Sequence, residues 1–157
     1  MFKNRMHKLI AIFLLCLFGL SMVTGCAAKL PEGFDEEEVK TAAENVITLL
    51  DQGDGEGLTA LMTDEMKAAI NEDVQAQIFA MLNAVGSVQE ISEIKTGGST
   101  QNEITYAVVV AKVEHEKGEV TYTISFDHQM RLAGLFLKKK NLIMRAHFEL
   151  HFVRSTY

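Results

Sequence analysis

Histidine and tyrosine residues on one strand-like segment are the best candidates for chemistry in this sequence. Tyr122, Ile124 and Phe126 alternate with polar residues, and the same spacing places His128 on their apolar face. A histidine near neutral pH can act as a general base, and a tyrosine hydroxyl can donate a hydrogen bond to a ligand carbonyl. The candidate pocket therefore contains His128, Tyr122 and Phe126, together with Tyr106 from the preceding segment.

The same residues also fit a purely structural role. Asp127 is next to His128, but adjacent strand residues point to opposite faces, so this carboxylate is badly placed to orient the imidazole. A histidine at a strand end is commonly satisfied by backbone or water, and tyrosine is a good strand residue. No catalytic residue is therefore assigned, and the sequence calls for no cofactor.

Two histidine-containing strings resemble zinc motifs without providing their geometry. The string that begins at His115, HEKGE, ends in glutamate and falls in a turn. His147 and His151 have the spacing of zinc ligands on a helix, but the residues around them alternate as in a strand. Four strand residues span roughly 13 Å, too far for one ion. The sequence predicts no metal site.

The first 26 residues combine the features of a bacterial export signal. Lys3, Arg5 and Lys8 precede an uncharged run, LIAIFLLCLFGLSMV, and the tetrapeptide Val23-Thr24-Gly25-Cys26 follows. An aliphatic residue, two small residues and a cysteine resemble the lipobox of bacterial lipoproteins. The resemblance implies cleavage between Gly25 and Cys26 and attachment of acyl chains, palmitate among them, to Cys26.

An uncleaved membrane helix is the alternative for this segment. Leu9 to Ala28 carries no charge over about twenty residues, close to the length that spans a bilayer. Both interpretations place the following domain outside the cytoplasm and anchor it to the cell membrane, or to an outer membrane if the source has one. With Cys26 lipidated, the mature protein has no thiol left for a disulfide.

The charge balance excludes one class of partner. The chain has 21 acidic and 15 basic residues, for a net charge of −6. The basic residues are concentrated in the export signal and beyond Leu137, so the middle of the chain is more acidic than the whole. Because an acidic surface repels phosphate backbones, we expect no nucleic-acid partner.

The hydrophobic spacing changes from helical to strand-like along the chain. The predicted helices run from Asp35 to Gly53, from about Leu58 to Met62, and from Thr63 or Asp64 to Gly86, with an interruption possible at Asn71 to Asp73. The predicted strands cover Ser87 to Lys95 with a turn at Thr96 to Ser99, Ile104 to His115, Val120 onward, and Met130 to Leu137. Helices followed by an antiparallel meander predict an α+β fold, with the N-terminal helices packed on a bent antiparallel sheet.

The order and turn chemistry of these segments resemble a known superfamily between Phe34 and Lys138. An amphipathic helix ending in LLDQGD, a helix opening with TDEMKAAI and a meander ending in GLFLK are similar to nuclear transport factor 2-like domains. More closely, they resemble a family of bacterial extracytoplasmic domains of unknown function within that superfamily. The resemblance implies a cystatin-like cone, in which a bent sheet wraps the first helix and leaves a cavity at its wide end.

The resemblance leaves three functions open, because relatives use the cone as an enzyme site, a ligand pocket or a dimerising scaffold. We expect a lipoprotein domain without catalysis that binds a small ligand or an envelope protein. One alternative is a small isomerase-like or hydratase-like enzyme with a pocket near His128, which Phe126, Met130 and Phe136 would exclude by filling the cone. The other is a homodimer through an exposed apolar sheet face.

The predicted domain organisation has four parts: residues 1–25, the signal peptide; residues 26–34, a tether; residues 35–138, the domain; and residues 139–157, a basic C-terminal extension. In the extension, alternating residues from Ala146 to Phe152 resemble an edge strand. A loosely packed tail and the product of a shifted reading frame are the other two interpretations.

Overall fold

A computed structural model of the protein describes residues 29–140, which contain four helices followed by four strands. The elements are α1 (Glu36–Gln52), α2 (Gly55–Leu61), α3 (Asp64–Ala69), α4 (Glu72–Val85), β1 (Val88–Gln101), β2 (Ile104–His115), β3 (Gly118–Phe126) and β4 (Leu132–Lys139). Cys26 and the predicted extension beyond Lys140 lie outside these residues. None of the helices in this part of the chain is long and apolar enough to cross a membrane.

Helix α1 begins and ends at the predicted residues. The Asp35 carboxylate accepts hydrogen bonds from the backbone N–H groups of Glu37 and Glu38, at 3.0 and 2.9 Å. Gly53 ends the helix with a φ of 68°, a left-handed conformation that costs glycine little. The apolar stripe of α1 is buried in the core, with Val39, Ala43, Val46, Ile47 and Leu50 at 0–2% exposure.

The third predicted helix is interrupted, as its sequence allows. Thr63 caps α3 by accepting from Met66 N, and Asn71 caps α4 by accepting from Val74 N. The chain therefore turns between Ile70 and Asn71 before it continues to Gly86. Each cap satisfies an N–H group that has no partner inside its helix.

The strands form one antiparallel sheet in the order β1-β2-β3-β4, and the helices pack on one of its faces. The alternating residues of β2 and β3 form the inner face: Ala107, Val109, Ala111 and Val113 on β2, and Val120, Tyr122, Ile124 and Phe126 on β3. These residues join the apolar stripes of the helices in one core. The predicted α+β fold, with N-terminal helices on an antiparallel sheet, is confirmed.

Strand β1 is longer than its sequence indicates, and its pairing is irregular. The pairing with β2 shifts between Val88 and Glu90 and again between Ile91 and Glu93, so Gln89 and Ser92 are bulged. The strand then continues through Gly97 and Gly98 to Gln101, and the predicted turn at these glycines is wrong. The turn lies instead at Asn102 and Glu103, which both have positive φ.

Strand β3 ends at Phe126, two residues before His128. Asp127 accepts hydrogen bonds from the N–H groups of Gln129 and Arg131 and closes a turn that leads into β4. His128 lies in this turn and is exposed, so it does not continue the apolar face of β3. Because the turn occupies residues 127–131, β4 begins at Leu132 rather than at the predicted Met130.

The described part of the predicted tether packs against the domain. Leu30 and Phe34 contact the core, and Pro31 lies over Gly98 of β1. A Cβ atom at Gly98 would lie 2.5 Å from Pro31 Cγ and 3.2 Å from the Lys29 carbonyl oxygen. Gly98 is therefore required by the close approach of this segment rather than by a turn.

Candidate functional site

Tyr122 lies inside the core and is hydrogen-bonded to a second buried residue. Its hydroxyl is 2.9 Å from His115 Nε2, and His115 Nδ1 is 2.7 Å from the Gly86 carbonyl oxygen. A carbonyl only accepts, so we assign the imidazole proton to Nδ1; Nε2 then accepts from the Tyr122 hydroxyl. The chain from Tyr122 through His115 to Gly86 ties β3 and β2 to the end of α4.

The environment of Tyr122 keeps its hydroxyl protonated. Burial raises the pKa of Tyr122 well above its usual range, and the negative charge of Asp51 raises it further. A phenol in this state donates a hydrogen bond and does not act as a base. Because Tyr122 is fully buried and its hydroxyl already donates to His115 Nε2, it has a structural role in the described domain.

Two of the three residues expected to fill the predicted cone lie in the core or against it. Phe126 is 1% exposed in the core, and Met130 packs against the core from the following turn. Phe136 does not contribute, since it is 43% exposed on the outer face of β4. Phe126 and Met130 therefore contribute to the core of the described domain.

The four residues of the predicted pocket lie in three separate places. Tyr122 and Phe126 are in the core, whereas His128 is exposed and stacks on Phe34 with ring centroids 4.6 Å apart. Tyr106 is half-buried on the outer face of β2, whereas the next residue, Ala107, faces the core. This placement corrects the expectation that these side chains surround one pocket.

Two open grooves, neither indicated by the sequence, lie at the end of the sheet where β1 begins. The first, about 330 Å³, separates α1 from β1; we call it the α1–β1 groove, and Glu44, Ile47, Thr48, Asp51, Val88 and Ile91 line it. The second, about 240 Å³, is the turn groove, lined by Asp51, Leu82, Asn83, Gly86, Ser87, Glu116 and Lys117. Asp51 borders both grooves.

The α1–β1 groove has an apolar floor and acidic groups on its rim. Ile47, Val88 and Ile91 supply the floor, and Glu44 and Asp51 supply the carboxylates. Asp51 accepts a 2.9 Å hydrogen bond from Val88 N, which fixes the start of β1 against the end of α1. Such an arrangement suits a ligand that combines a positive charge with an aliphatic surface.

No histidine lines either groove. His115 lies behind the turn groove, but it is buried and both of its ring nitrogens are hydrogen-bonded. Within residues 29–140, no group of three or more histidine, cysteine or acidic side chains is arranged to hold a metal ion.

Comparisons with known proteins agree with this fold and assign no activity. A family model described as "Protein of unknown function (DUF3887)" matches residues 43–135, from α1 into β4. A solved structure, "NMR structure of protein from Ruminococcus gnavus ATCC 29149", is similar with a TM-score of 0.63 and 25% sequence identity. The similarity covers 70% of this chain and 96% of that chain. No curated protein matches the sequence significantly.

Proposed function

We propose that this chain, which belongs to the DUF3887 family of proteins of unknown function, is a lipid-anchored extracytoplasmic protein with a nuclear transport factor 2-like domain that binds a partner without catalysis. The observation that carries the proposal is the burial of Tyr122 and Phe126, two of the four candidate pocket residues, in the core. Binding is then left to the open grooves beside the start of β1.

The proposed binding site is the α1–β1 groove, and the proposed occupant is a basic peptide segment of an envelope protein. Glu44 and Asp51 favour a positive charge, and Ile47 and Ile91 favour the aliphatic stem that lysine and arginine carry. The acidic middle of the chain adds a long-range attraction for such a segment.

Peptide binding tests this site directly. The full chain in detergent is titrated into a fluorescently labelled peptide of alternating lysine and leucine, with a glutamate–leucine peptide of equal length for comparison. We expect only the lysine peptide to bind. Glu44→Lys should weaken its binding by about tenfold, because a close attractive charge becomes repulsive.

Glu32→Lys is the matched control, since it makes the same charge change on an exposed residue outside both grooves. Equal loss of binding in the two variants would show that only net charge matters and would remove the groove from the proposal. Binding of the glutamate peptide with similar affinity would have the same consequence.

Metabolic labelling with palmitate tests the anchor. We expect the wild-type chain to be labelled and shortened by residues 1–25, as the resemblance of Val23 to Cys26 to a lipobox implies. The variant Cys26→Ala should be neither labelled nor shortened, because it lacks the thiol that accepts the lipid. A wild-type chain that stays unlabelled and full-length contradicts the lipoprotein proposal.

A dimerising scaffold is the second candidate function, and one observation favours it. On the outer face of the sheet, Val110 and Phe136 are 37% and 43% exposed and lie on either side of Thr123 in the same cross-strand row. A second copy of the chain can pack this face against its own. Sedimentation of the full chain in detergent should then show a dimer that Phe136→Ser reduces to a monomer, and a monomeric wild type rules the dimer out.

A further inference from the structure

The N-terminal segment fixes the point at which the chain leaves the domain. Pro31 and the Lys29 carbonyl lie against Gly98 on the inner face of β1, and Phe34 stacks on His128. Glu36, at the start of α1, accepts a hydrogen bond from Thr96 at 3.3 Å. These contacts hold residues 29–36 along the second half of β1, so the exit point does not move freely around the domain.

The strand directions separate this exit from the grooves. Strand β1 runs from Val88 beside the grooves to Gln101 at the opposite end of the sheet. We call this opposite end the entry end; it comprises the β1–β2 turn, with Ile104 following it, and the turn of residues 127–131. The end with the two grooves also contains the β2–β3 turn at Glu116 and Lys117.

The short distance in sequence between Lys29 and Cys26 limits where a lipid on Cys26 can lie. Three residues span at most about 11 Å when fully extended. From Gly98 to Val88 the strand rises by about 26 Å, because the partner residues Ala107 and His115 on β2 are eight residues apart. The backbone of Cys26 can therefore lie level with the entry end but not with the start of β1 beside the grooves.

We infer that the entry end of the domain faces the bilayer that holds the lipid anchor, and that Ile104 contacts the membrane interface. The inference rests on the proposed lipid anchor and adds an orientation to it. Ile104 is 52% exposed, the highest value among the large apolar side chains of the described residues, and it lies at the end of the sheet to which the N-terminal segment leads. The α1–β1 groove and the turn groove then point away from the membrane, toward partners in the envelope.

A single tryptophan reporter tests the orientation, because the chain contains no tryptophan of its own. Ile104→Trp places the reporter at the entry end, and Lys117→Trp places it on an exposed residue at the groove end. The full-length lipidated chains are reconstituted into phosphatidylcholine vesicles, with and without brominated acyl chains. We expect bromine to quench the reporter at position 104 several-fold more than the reporter at position 117.

Two further measurements distinguish a wrong orientation from a missing lipid anchor. Flotation with the vesicles reports the anchor, and circular dichroism verifies that both variants are folded. Floating protein with equal quenching at the two positions overturns the orientation and leaves the anchor intact. A wild-type chain that does not float with the vesicles overturns the anchor, and the orientation with it.

Discussion

The hydrogen bond from Tyr122 to His115 joins two polar side chains that are buried inside this domain. Both residues are buried, and each polar atom of the pair has a partner in the protein. Across residues 29–140, no buried side-chain nitrogen or oxygen lacks a hydrogen bond. Burying a polar group without a hydrogen-bond partner is costly, so polar side chains lie this deep only where such partners exist.

Tyr122→Phe should destabilise the domain by about 1–3 kcal/mol, because it leaves His115 Nε2 buried without a donor. Chemical denaturation of the full chain in detergent measures the change in the free energy of unfolding. Tyr106→Phe is the control, since its hydroxyl lies on the outer face of the sheet and should change stability little. Equal effects of the two substitutions would contradict the role given to the buried hydroxyl.

Glu93 gives a prediction for the dependence of stability on pH. Hydrogen bonds from Lys112, and then from Lys95, lower the pKa of Glu93 to about 2. A carboxylate whose pKa is lowered by folding stabilises the protein at pH values above its unfolded pKa, near 4.5, and loses this effect as the pH falls toward 2.

We therefore expect Glu93→Gln to lower stability by a constant amount above pH 4.5 and by progressively less below it. Urea denaturation across pH 3–7 measures this difference. Salt should reduce it, because both lysines are largely exposed to solvent. Glu90→Gln is the control, as no ion pair of Glu90 occurs within the described range; a similar pH profile for it would contradict the assignment.

At the scale of elements, the sequence predicted best where a signal is local. Asp35, Gly53, Thr63 and Asn71 act within three or four residues of the helix ends that they define. The inner faces of β2 and β3 follow from strict alternation. Such features depend on residues that are close together in sequence, so they can be recognised in a single sequence.

The errors arose where contacts distant in sequence decide the conformation. Gly97-Gly98 has the composition of a turn, yet Pro31, far away in sequence, approaches Gly98 and keeps it in a strand. The error at His128 differs, because its cause is local: the residue follows the alternation of β3, but the side chain of Asp127 accepts hydrogen bonds from the next few N–H groups and ends that strand. The grooves depend on how α1 meets the bulged start of β1, which no local pattern indicates.

Gly98→Ala should destabilise the domain by about 1–3 kcal/mol, because the new methyl group overlaps Pro31. In a Pro31→Ala background the same substitution should cost less, since the ring atoms that it meets are absent. A double-mutant cycle by thermal unfolding measures this coupling. Strictly additive effects would show that the two residues do not contact each other in solution.

At the scale of the whole molecule, the sheet has two protected strands and two edges. Strands β2 and β3 are paired on both sides, whereas β1 and β4 each have one free side within the described sheet. Local stability should therefore be highest in β2 and β3, because a central strand cannot open without disrupting two neighbours.

Hydrogen exchange should therefore be slowest in β2 and β3. The N–H groups of Val109 and Ile124 should exchange only when the whole domain unfolds, and those of Gln89 and Ser92 should exchange much faster, since these residues are bulged out of the β1 ladder. Exchange followed by NMR or mass spectrometry measures both classes. Similar protection of the four residues would contradict the pairing of the sheet.

The two bulges of β1 also determine how the protein behaves when many copies are crowded together. A free edge strand of fourteen residues is a template on which another chain can add a strand and begin an aggregate. Gln89 and Ser92 break the regular spacing of backbone donors and acceptors that such an addition needs, and Lys95 adds a charge beside them. Irregularity in this strand therefore preserves solubility at high local concentration, and variants that delete Gln89 or Ser92 and straighten β1 would expose an aggregation-prone edge.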